Sequence, residues 1–504
     1  MSRIRALAKE SVIYGISSLA SRFLNFLLVP FYTHVLSPAD FGISNILFAI
    51  IAFLNIVYQF GFDSAYLRCS QDLDEPQRKK MFASAFWSQA IGCILFSLLL
   101  LLSYPVLNQW LLIPEVHKNL LLYASGILIL DTLSVIPFSR LRQNHNALRF
   151  ALIRMANVIL NIAANIILVA KWHKGLEGVF IANLIASAFT LLCFVPDILQ
   201  RLRFHWDSAQ VRQLLSFGLP LVPAGLYGMV NEMAGRIFLA RMRPEDLLRL
   251  YPNSHLDVLA LTGIFSAAWK LGIFGLLLVQ MYRLAWQPFF LQRQKDADAP
   301  ELFGRILRLL CLFIGFASVT LMFLLDQLVA IPIMGRPIIH PAFWSGLPIV
   351  PLVLLAYALQ AWLIHFTLGI YISKQTKYFM WVNGIGAVIT LLGNFLLVPY
   401  FGLQGPALAA VVCYAIMAIL MTRRSQAFFP ITIPWPKMIL IFIWLGLGWI
   451  FGVWIQFNPH LFSIPLRALL LLAFYTLPWL LGLITPSEKQ MLFGQLKRLS
   501  GTSH

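Results

Sequence analysis

The sequence predicts an all-α polytopic membrane protein with fourteen transmembrane helices. Of the 504 residues, 60% are hydrophobic and only 12% are charged, whereas a soluble protein has about 25% charged residues. Each apolar stretch is close to the roughly 20 residues that a helix needs to cross a bilayer. Backbone groups find no water inside a bilayer, so stretches of this length must be helical. The predicted spans are 12–34, 42–67, 82–106, 119–139, 150–170, 177–199, 213–240, 260–290, 303–326, 343–372, 378–399, 404–422, 437–456 and 464–484.

Basic residues between the spans indicate which side of the membrane each connecting segment faces. With the N-terminus inside, 25 of the 38 Lys and Arg residues lie in inner segments and 8 lie in outer ones. Inner loops of membrane proteins carry an excess of Lys and Arg, so both termini are expected to be cytoplasmic. The net charge of +18 therefore reflects membrane orientation, and nucleic acid is not expected as a partner.

The chain contains an internal repeat of six spans. The matching positions include Tyr14 with Phe217, Gly42 with Gly263, and Asn165 with Asn394. Because each copy has an even number of spans, both copies should have the same orientation in the membrane. Parallel halves around a site near the midplane are typical of transporters. The predicted divisions are a first six-helix bundle at 1–205, a second at 206–425, and two additional helices with a cytoplasmic tail at 426–504.

Most of the charged residues well inside the predicted spans are basic. A charge at mid-membrane costs about 3 kcal/mol on insertion scales unless it faces water, a partner or a ligand. An excess of cations favours an anionic passenger, because Arg and Lys stabilise dehydrated phosphate. The basic residues are Arg22, Arg154, Arg236, Lys270 and Arg283, and the acidic residues are Asp131 and Glu232.

Some of these charges also have structural explanations. Arg154 and Arg283 lie toward the cytoplasmic side, where long basic side chains can extend to the lipid headgroups. Glu232 and Arg236 are four residues apart on one helix and can form an internal ion pair. Asp131 and Glu232 are, in addition, the candidate sites for a coupling H⁺ or Na⁺.

Amide side chains form a second pattern within the spans. Asn157, Asn161 and Asn165 recur every fourth residue in the fifth span and therefore lie on one helix face, and Asn25 adds an amide to the first span. A single Asn in a membrane helix more often makes an interhelical hydrogen bond than binds a ligand. The stripe as a whole favours a cavity wall, so we predict that Asn25, Asn157 and Asn161 bind substrate hydroxyl groups.

The sequence lacks the motifs of several enzyme classes. It has no GxxxxGK[ST] loop for ATP and no HExxH motif, and its five cysteines show no CxxC spacing. We therefore expect neither a metal nor a cofactor. The longest external loop, 241–259, is too short for a catalytic domain, which favours a transporter over an enzyme.

Two stretches of the chain resemble a known family. The first, at 14–46, is YGISSLASRFLNFLLVPFYTHVLSPADFGISNI, and the second, at 217–240, is FGLPLVPAGLYGMVNEMAGRIFLA. Both resemble the polysaccharide biosynthesis membrane proteins, which are O-antigen-type flippases of the multidrug, oligosaccharidyl-lipid and polysaccharide (MOP) exporter superfamily. The likeness extends over residues 10–425.

This resemblance implies two six-helix bundles in a V around a central cavity, with two extra C-terminal helices that form a groove for a lipid tail. The implied substrate is an undecaprenyl-diphosphate-linked oligosaccharide, an O-antigen, capsule or exopolysaccharide repeat unit. It would cross the bacterial cytoplasmic (inner) membrane by alternating access, and Arg22, Arg236 and Lys270 occupy the family's basic cavity positions.

The same resemblance implies several partners and leaves alternatives. The expected partners are the lipid-linked substrate, membrane lipids, H⁺ or Na⁺ as a coupling ion, and polysaccharide polymerase machinery. The alternative functions are a lipid II flippase and a cation-coupled multidrug antiporter on the same fold. The excess of cations within the spans argues against the antiporter, because a cationic drug favours an acidic cavity.

We expect Arg22→Ala to abolish translocation without preventing membrane insertion, because it removes a cation from the middle of a span. The measurement is complementation of a strain that lacks its flippase, with the membrane level of the variant determined in parallel. Full complementation by Arg22→Ala would contradict this prediction.

Overall fold

The computed structural model describes residues 2–111, 114, 117–202, 205–252, 256–333, 335–458, 460 and 462–483. Helices dominate this part of the chain; a short antiparallel hairpin pairs β1 (Pro332–Ile333) with β2 (Arg336–Pro337). A π-helical turn, Ile166–Lys171, and a 3₁₀ helix, Pro341–Ile349, are also present. Numbered α1 to α21 in chain order, the α-helices are Ser2–Phe26, Leu28–Val35, Pro38–Gln59, Phe62–Cys69, Glu75–Leu102, Tyr104–Leu111, Leu120–Gln143, Ala147–Asn165, Gly175–Arg201, Ser208–Gly218, Leu221–Ala240, Pro244–Leu250, Val258–Leu271, Ile273–Arg293, Ala299–Ala330, Val350–His365, Thr367–Ile372, Lys377–Phe401, Gln404–Phe428, Trp435–Phe457 and Ile464–Leu480.

Ten helical segments within the described ranges are long and apolar enough to cross a membrane. The number is twelve when the bent pairs α10–α11 and α13–α14 each count as one span. The predicted all-helical, multi-span membrane protein is thereby confirmed, and twelve of the fourteen predicted spans correspond to these segments. The first predicted span is divided between α1 and α2, and the last, α21, has only 17 residues. Those two spans and the V-shaped arrangement stay predictions.

Local sequence explains where several helices begin. Ser37 precedes α3, and its hydroxyl oxygen accepts a hydrogen bond from the Asp40 backbone N–H at 3.1 Å. Before α5, the Asp74 carboxylate accepts from the Gln77 N–H at 2.8 Å, and the Gln77 side chain accepts from the Asp74 N–H at 3.3 Å. These side chains satisfy N–H groups that the first helical turn leaves without partners.

The described helices form two compact units. Of the described residues, the first unit comprises those within 1–273, 339–346 and 377–417, and the second comprises those within 274–338, 347–376 and 418–483. The division predicted from the repeat follows a different property, internal similarity rather than compactness, and stays a prediction. The predicted cytoplasmic tail, from residue 484 onward, lies outside the described residues.

Two glycines at matching positions of the repeat contact each other within the first unit. Gly42 of α3 faces the carbonyl oxygen of Leu259, and Gly263 of α13 faces the carbonyl oxygen of Pro38. A β-carbon at either glycine would overlap the opposing carbonyl group. Leu259 is four residues before Gly263, and Pro38 is four residues before Gly42. The two predicted copies of the repeat therefore meet through a reciprocal backbone contact between α3 and α13.

The segment after α11 is held by polar contacts within the first unit. The buried Asp246 of α12 forms an ion pair with Arg243 at 2.9 Å, and the Tyr251 hydroxyl accepts a hydrogen bond from the Leu403 backbone N–H at 3.0 Å. Burial raises the pKa of the Tyr251 hydroxyl. The segment after α11 is therefore attached to the turn between α18 and α19.

An ion pair joins two helices inside the second unit. Arg467, at the start of α21, is 1% exposed and forms two contacts with the Asp326 carboxylate of α15, at 2.5 and 2.9 Å. Its guanidinium also donates to the backbone carbonyl oxygens of Phe462 and Phe323. Asp326 therefore neutralises the charge of Arg467 within the packed helices of this unit.

We expect Gly42→Ala to lower the apparent melting temperature of the purified protein, since its β-carbon would overlap a backbone carbonyl group that cannot rotate away. Overpacking of this kind costs about 1–3 kcal/mol or more. Gly228→Ala in α11 is the matched control, because a β-carbon there meets nothing within 4 Å. Equal melting temperatures for the two variants would show that α3 and α13 do not need this close contact.

Candidate functional site

The first unit contains a polar cavity of about 680 Å³, which is within the usual size range of ligand sites. Its walls come from α1, α2, α3, α4, α7, α8, α9, α11 and α13. The charged residues of the lining are four basic and two acidic, which gives a formal excess of two positive charges. They are Arg142, Arg154, Arg236, Lys270, Asp63 and Asp131.

On one wall, α7 and α8 place Arg154 and Asp131 in the cavity. The Arg154 guanidinium carbon lies 5.3 Å from the ring centroid of Phe138 and 5.2 Å from that of Phe150. Both distances are typical of cation–π contacts. The Asp131 carboxylate accepts a hydrogen bond from the Ser187 hydroxyl at 2.7 Å and interacts electrostatically with Arg154. Arg154 is thus positioned by aromatic rings and one carboxylate.

On α11 and α13, Arg236 and Lys270 form a second pair of cations. The buried Arg236 donates to the Glu232 backbone carbonyl oxygen at 2.9 Å and contacts the Met233 sulfur at 3.0 Å. The Lys270 ammonium lies 4.8 Å from the ring centroid of Phe41, and its charge interacts with that of Arg236. The four-residue spacing of Glu232 and Arg236 therefore produces a side-chain-to-backbone hydrogen bond.

The predicted amides serve both packing and the cavity lining. The Asn157 amide donates to the Ala186 carbonyl oxygen at 2.8 Å and to the Thr190 hydroxyl at 2.9 Å, so it joins α8 to α9. Asn161 accepts a hydrogen bond from the buried Asn165 at 2.6 Å, and Asn165 accepts one from the Tyr32 hydroxyl at 2.9 Å. Asn157 and Asn161 therefore form hydrogen bonds to other protein groups and also line the cavity.

The structure brings seven of the ten predicted site residues into the cavity lining, namely Asn25, Asp131, Arg154, Asn157, Asn161, Arg236 and Lys270. Three residues lie elsewhere. Arg22 is exposed on α1, directly after the lining residue Ser21, and its charge interacts with that of Arg154. Glu232 contributes its backbone carbonyl group to Arg236, and the exposed Arg283 belongs to the second unit. The binding roles of all ten residues stay predictions.

Sequence reasoning missed several residues of the lining. Arg142 lies beyond the predicted span 119–139, whereas the structure includes it in the last turn of α7. Asn45, Asn55 and Gln59 line the cavity from α3. A helix turns by about 100° per residue, so these three positions fall within one narrow face. The same periodicity that identified the Asn157 stripe would have identified this second polar face.

The arrangement suits a ligand that carries both negative charge and hydroxyl groups. Arginine guanidinium groups bind phosphate with paired donors, and Lys adds a point charge. Amides donate to and accept from hydroxyl groups. Within the described ranges, no group of three or more His, Cys, Asp or Glu side chains has a geometry that would hold a metal ion.

Comparisons with known proteins agree with the fold. A family model for the polysaccharide biosynthesis proteins matches residues 33–270, which confirms the resemblance predicted from the sequence. A comparison with curated protein sequences finds no match. The solved structure of the lipid II flippase MurJ in an inward closed conformation is 16% identical, with a TM-score of 0.70 over 92% of this chain and 98% of that chain.

Two multidrug transporters have a similar structure. An inward-facing multidrug resistance MATE family transporter of the MOP superfamily is 14% identical, with a TM-score of 0.58 over 81% of this chain and 94% of that chain. The Vibrio cholerae MATE transporter VcmN in the bent form is 16% identical, with a TM-score of 0.51 over 85% of this chain and 98% of that chain. At these identities the likeness shows that the chain has a MOP-like fold.

We expect Tyr32→Phe to lower the apparent melting temperature, because it leaves the buried Asn165 amide oxygen without its donor. An unsatisfied buried acceptor costs about 1–3 kcal/mol. Tyr123→Phe is the control, since the Tyr123 hydroxyl makes no hydrogen bond in the described part of the chain. Thermal unfolding of both purified variants tests this, and identical unfolding curves would contradict it.

Proposed function

We propose that this chain, with its resemblance to the polysaccharide biosynthesis proteins and its MOP-like fold, is a lipid-linked oligosaccharide flippase. The passenger is an undecaprenyl-diphosphate-linked repeat unit of O-antigen, capsule or exopolysaccharide. The observation that carries the proposal is a polar cavity inside a multi-span membrane protein, lined by four basic and two acidic residues and by amides. Such a lining would stabilise a diphosphate group and sugar hydroxyls away from bulk water.

Each predicted residue has a proposed role in this mechanism. Arg236, Lys270 and Arg154 hold the diphosphate or acidic sugars, and Asn25, Asn157 and Asn161 bind sugar hydroxyl groups. Arg22 contributes charge from α1, and Arg283 is a further proposed substrate-binding residue. Asp131 is the proposed binding site for a coupling H⁺ or Na⁺, because its carboxylate lines the cavity; Glu232 is the second candidate.

The remaining parts of the proposal concern the membrane. Both termini lie on the cytoplasmic side of the bacterial inner membrane, and two bundles of six helices form a V that opens to each side in turn. The helices α20 and α21, the thirteenth and fourteenth proposed spans, form a groove for the lipid tail. Membrane lipids surround the protein, and polysaccharide polymerase machinery receives the transported repeat unit.

A lipid II flippase is the second candidate, supported by the similarity in fold to MurJ over 92% of this chain. Both candidates share a polyprenyl diphosphate carrier and differ in the attached glycan. A multidrug antiporter is disfavoured by the charge of the lining, since two carboxylates against four basic groups would repel a cationic drug.

We expect Lys270→Gln to reduce polysaccharide export at least about tenfold, because it removes one of the cations that hold the diphosphate. Lys270→Arg should restore most of the export, since it returns the charge. Arg212→Gln, an exposed position of α10 outside this lining, is the control for loss of positive charge. The measurement is surface polysaccharide in a complemented flippase-null strain, normalised to membrane protein level.

Purification of the full chain followed by mass spectrometry of co-purified lipids tests the substrate directly. The expected species are polyprenyl diphosphates that carry a repeat-unit glycan, present with the wild type and depleted with Lys270→Gln. A lipid carrying a peptide-linked disaccharide would favour the lipid II flippase. Co-purification of ordinary phospholipids only, with normal export by Lys270→Gln, would overturn the proposal.

A further inference from the structure

We infer that Arg142, together with Arg154 and Arg22, forms a capture site for a diphosphate group at the α7–α8 end of the cavity. This site is distinct from the Arg236–Lys270 pair on α11 and α13. The inference deepens the proposed function and rests on it, because it assigns one step, the first binding of the headgroup, to a particular end of the cavity.

Arg142 is placed where an incoming anion would meet it. It lies in the last turn of α7, which ends at Gln143, and its exposed side chain lines the cavity. A cation is stabilised at a helix C-terminus, where backbone carbonyl groups lack partners. Its guanidinium forms no ion pair within the described part of the chain, so its donors are available to a ligand.

The neighbouring arginines are used differently. Arg140, on the same turn of α7, forms an ion pair with Asp197 at 3.2 Å, and Arg149 of α8 binds the other oxygen of that carboxylate at 2.5 Å. Side chains two residues apart do not share a helix face. Arg140 therefore fastens α7 to α9, whereas Arg142 points to the cavity.

One guanidinium group, that of Arg154, interacts with the guanidinium groups of two other helices. Arg154 of α8 interacts electrostatically with Arg142 of α7 and with Arg22 of α1. Like charges in such proximity repel each other, and an anion bound among them relieves the repulsion. This arrangement is unfavourable for packing alone and favourable for binding a group with a negative charge on each of two phosphates.

The acidic residues nearby leave a positive excess. Asp131 lies eleven residues before Arg142 on α7, about 16 Å away along the helix, and faces Arg154, Ser187 and Asn55. Asp63 of α4 lies at the same end as Arg142, because the Ser139 hydroxyl donates to its backbone carbonyl oxygen at 3.2 Å. Two carboxylates thus oppose three guanidinium groups.

The positions of Arg142 on α7 and Arg154 on α8 set the order in which an incoming anion contacts them. The helix α8 begins at Ala147, so Arg154 lies about two turns from the α7–α8 connection, at roughly 1.5 Å per residue. Arg142 lies at the connection itself. An anion that arrives from this end contacts Arg142 first and Arg154 second, and the Arg236–Lys270 pair receives it from the far side of the cavity.

Calorimetric titration of the purified full chain with inorganic pyrophosphate tests the capture site. We expect Arg142→Gln to weaken pyrophosphate binding about tenfold, since it removes charge-assisted hydrogen bonds. Arg142→Lys should recover part of the loss because it restores the charge without the paired donors.

Titration with farnesyl diphosphate identifies the source of the phosphate group. Tighter binding of farnesyl diphosphate than of pyrophosphate, with the same loss in Arg142→Gln, supports a lipid headgroup as the ligand. Binding of pyrophosphate alone assigns the site to a free phosphate anion and overturns the lipid part of the inference.

The control is Arg212→Gln, which removes one exposed charge from α10, outside this cavity. Equal weakening by Arg142→Gln and Arg212→Gln would show only bulk electrostatic attraction, and unchanged affinity in Arg142→Gln would show that Arg142 does not bind the anion. Either result overturns the inference. Either result leaves the proposed function standing if Lys270→Gln still reduces polysaccharide export. Conversely, intact pyrophosphate capture without any co-purified lipid-linked glycan would reject the proposed function and keep the site.

Discussion

The free-energy cost of a charged group inside a bilayer is the constraint on which this structure depends. Several kcal/mol are lost unless the charge meets water, a counter-charge or a ligand. The protein meets this constraint in two ways. Arg467 is sealed against Asp326 and backbone carbonyl groups, whereas Arg154 and Lys270 lie on aromatic faces and line a polar cavity. The first solution stabilises the fold, and the second leaves charge available for a ligand.

The internal repeat provides the frame for that cavity. Matching glycines, Gly42 and Gly263, let α3 and α13 approach until their backbones touch, so helices from both copies contribute to one wall. Small residues permit such close approach in membranes, where packing rather than the hydrophobic effect drives helix association. All of the lining residues lie on helices.

The two predicted copies of the repeat differ at one polar contact. In the first copy, the Tyr32 hydroxyl donates to the Asn165 amide oxygen. The alignment that pairs Tyr14 with Phe217 places Gly235 opposite Tyr32, and a β-carbon at Gly235 would overlap Pro406. The amide oxygen of Asn394, which matches Asn165, has no hydrogen-bond partner in the described part of the chain. At this position the second copy has a glycine that packs closely against Pro406, whereas the first copy has a tyrosine that forms a hydrogen bond between two helices.

The sequence by itself determined the membrane class, the order of the helices, the repeat and the residue types of the cavity, because these follow from hydropathy, helical periodicity and the cost of intramembrane charge. Only the tertiary structure decided which charges share the cavity. Periodicity assigns Asn157 and Asn161 to one helix face, but it does not fix how that helix is rotated against its neighbours. For this reason Arg142 and the polar face of α3 were missed, and Arg283 was grouped with residues of another unit.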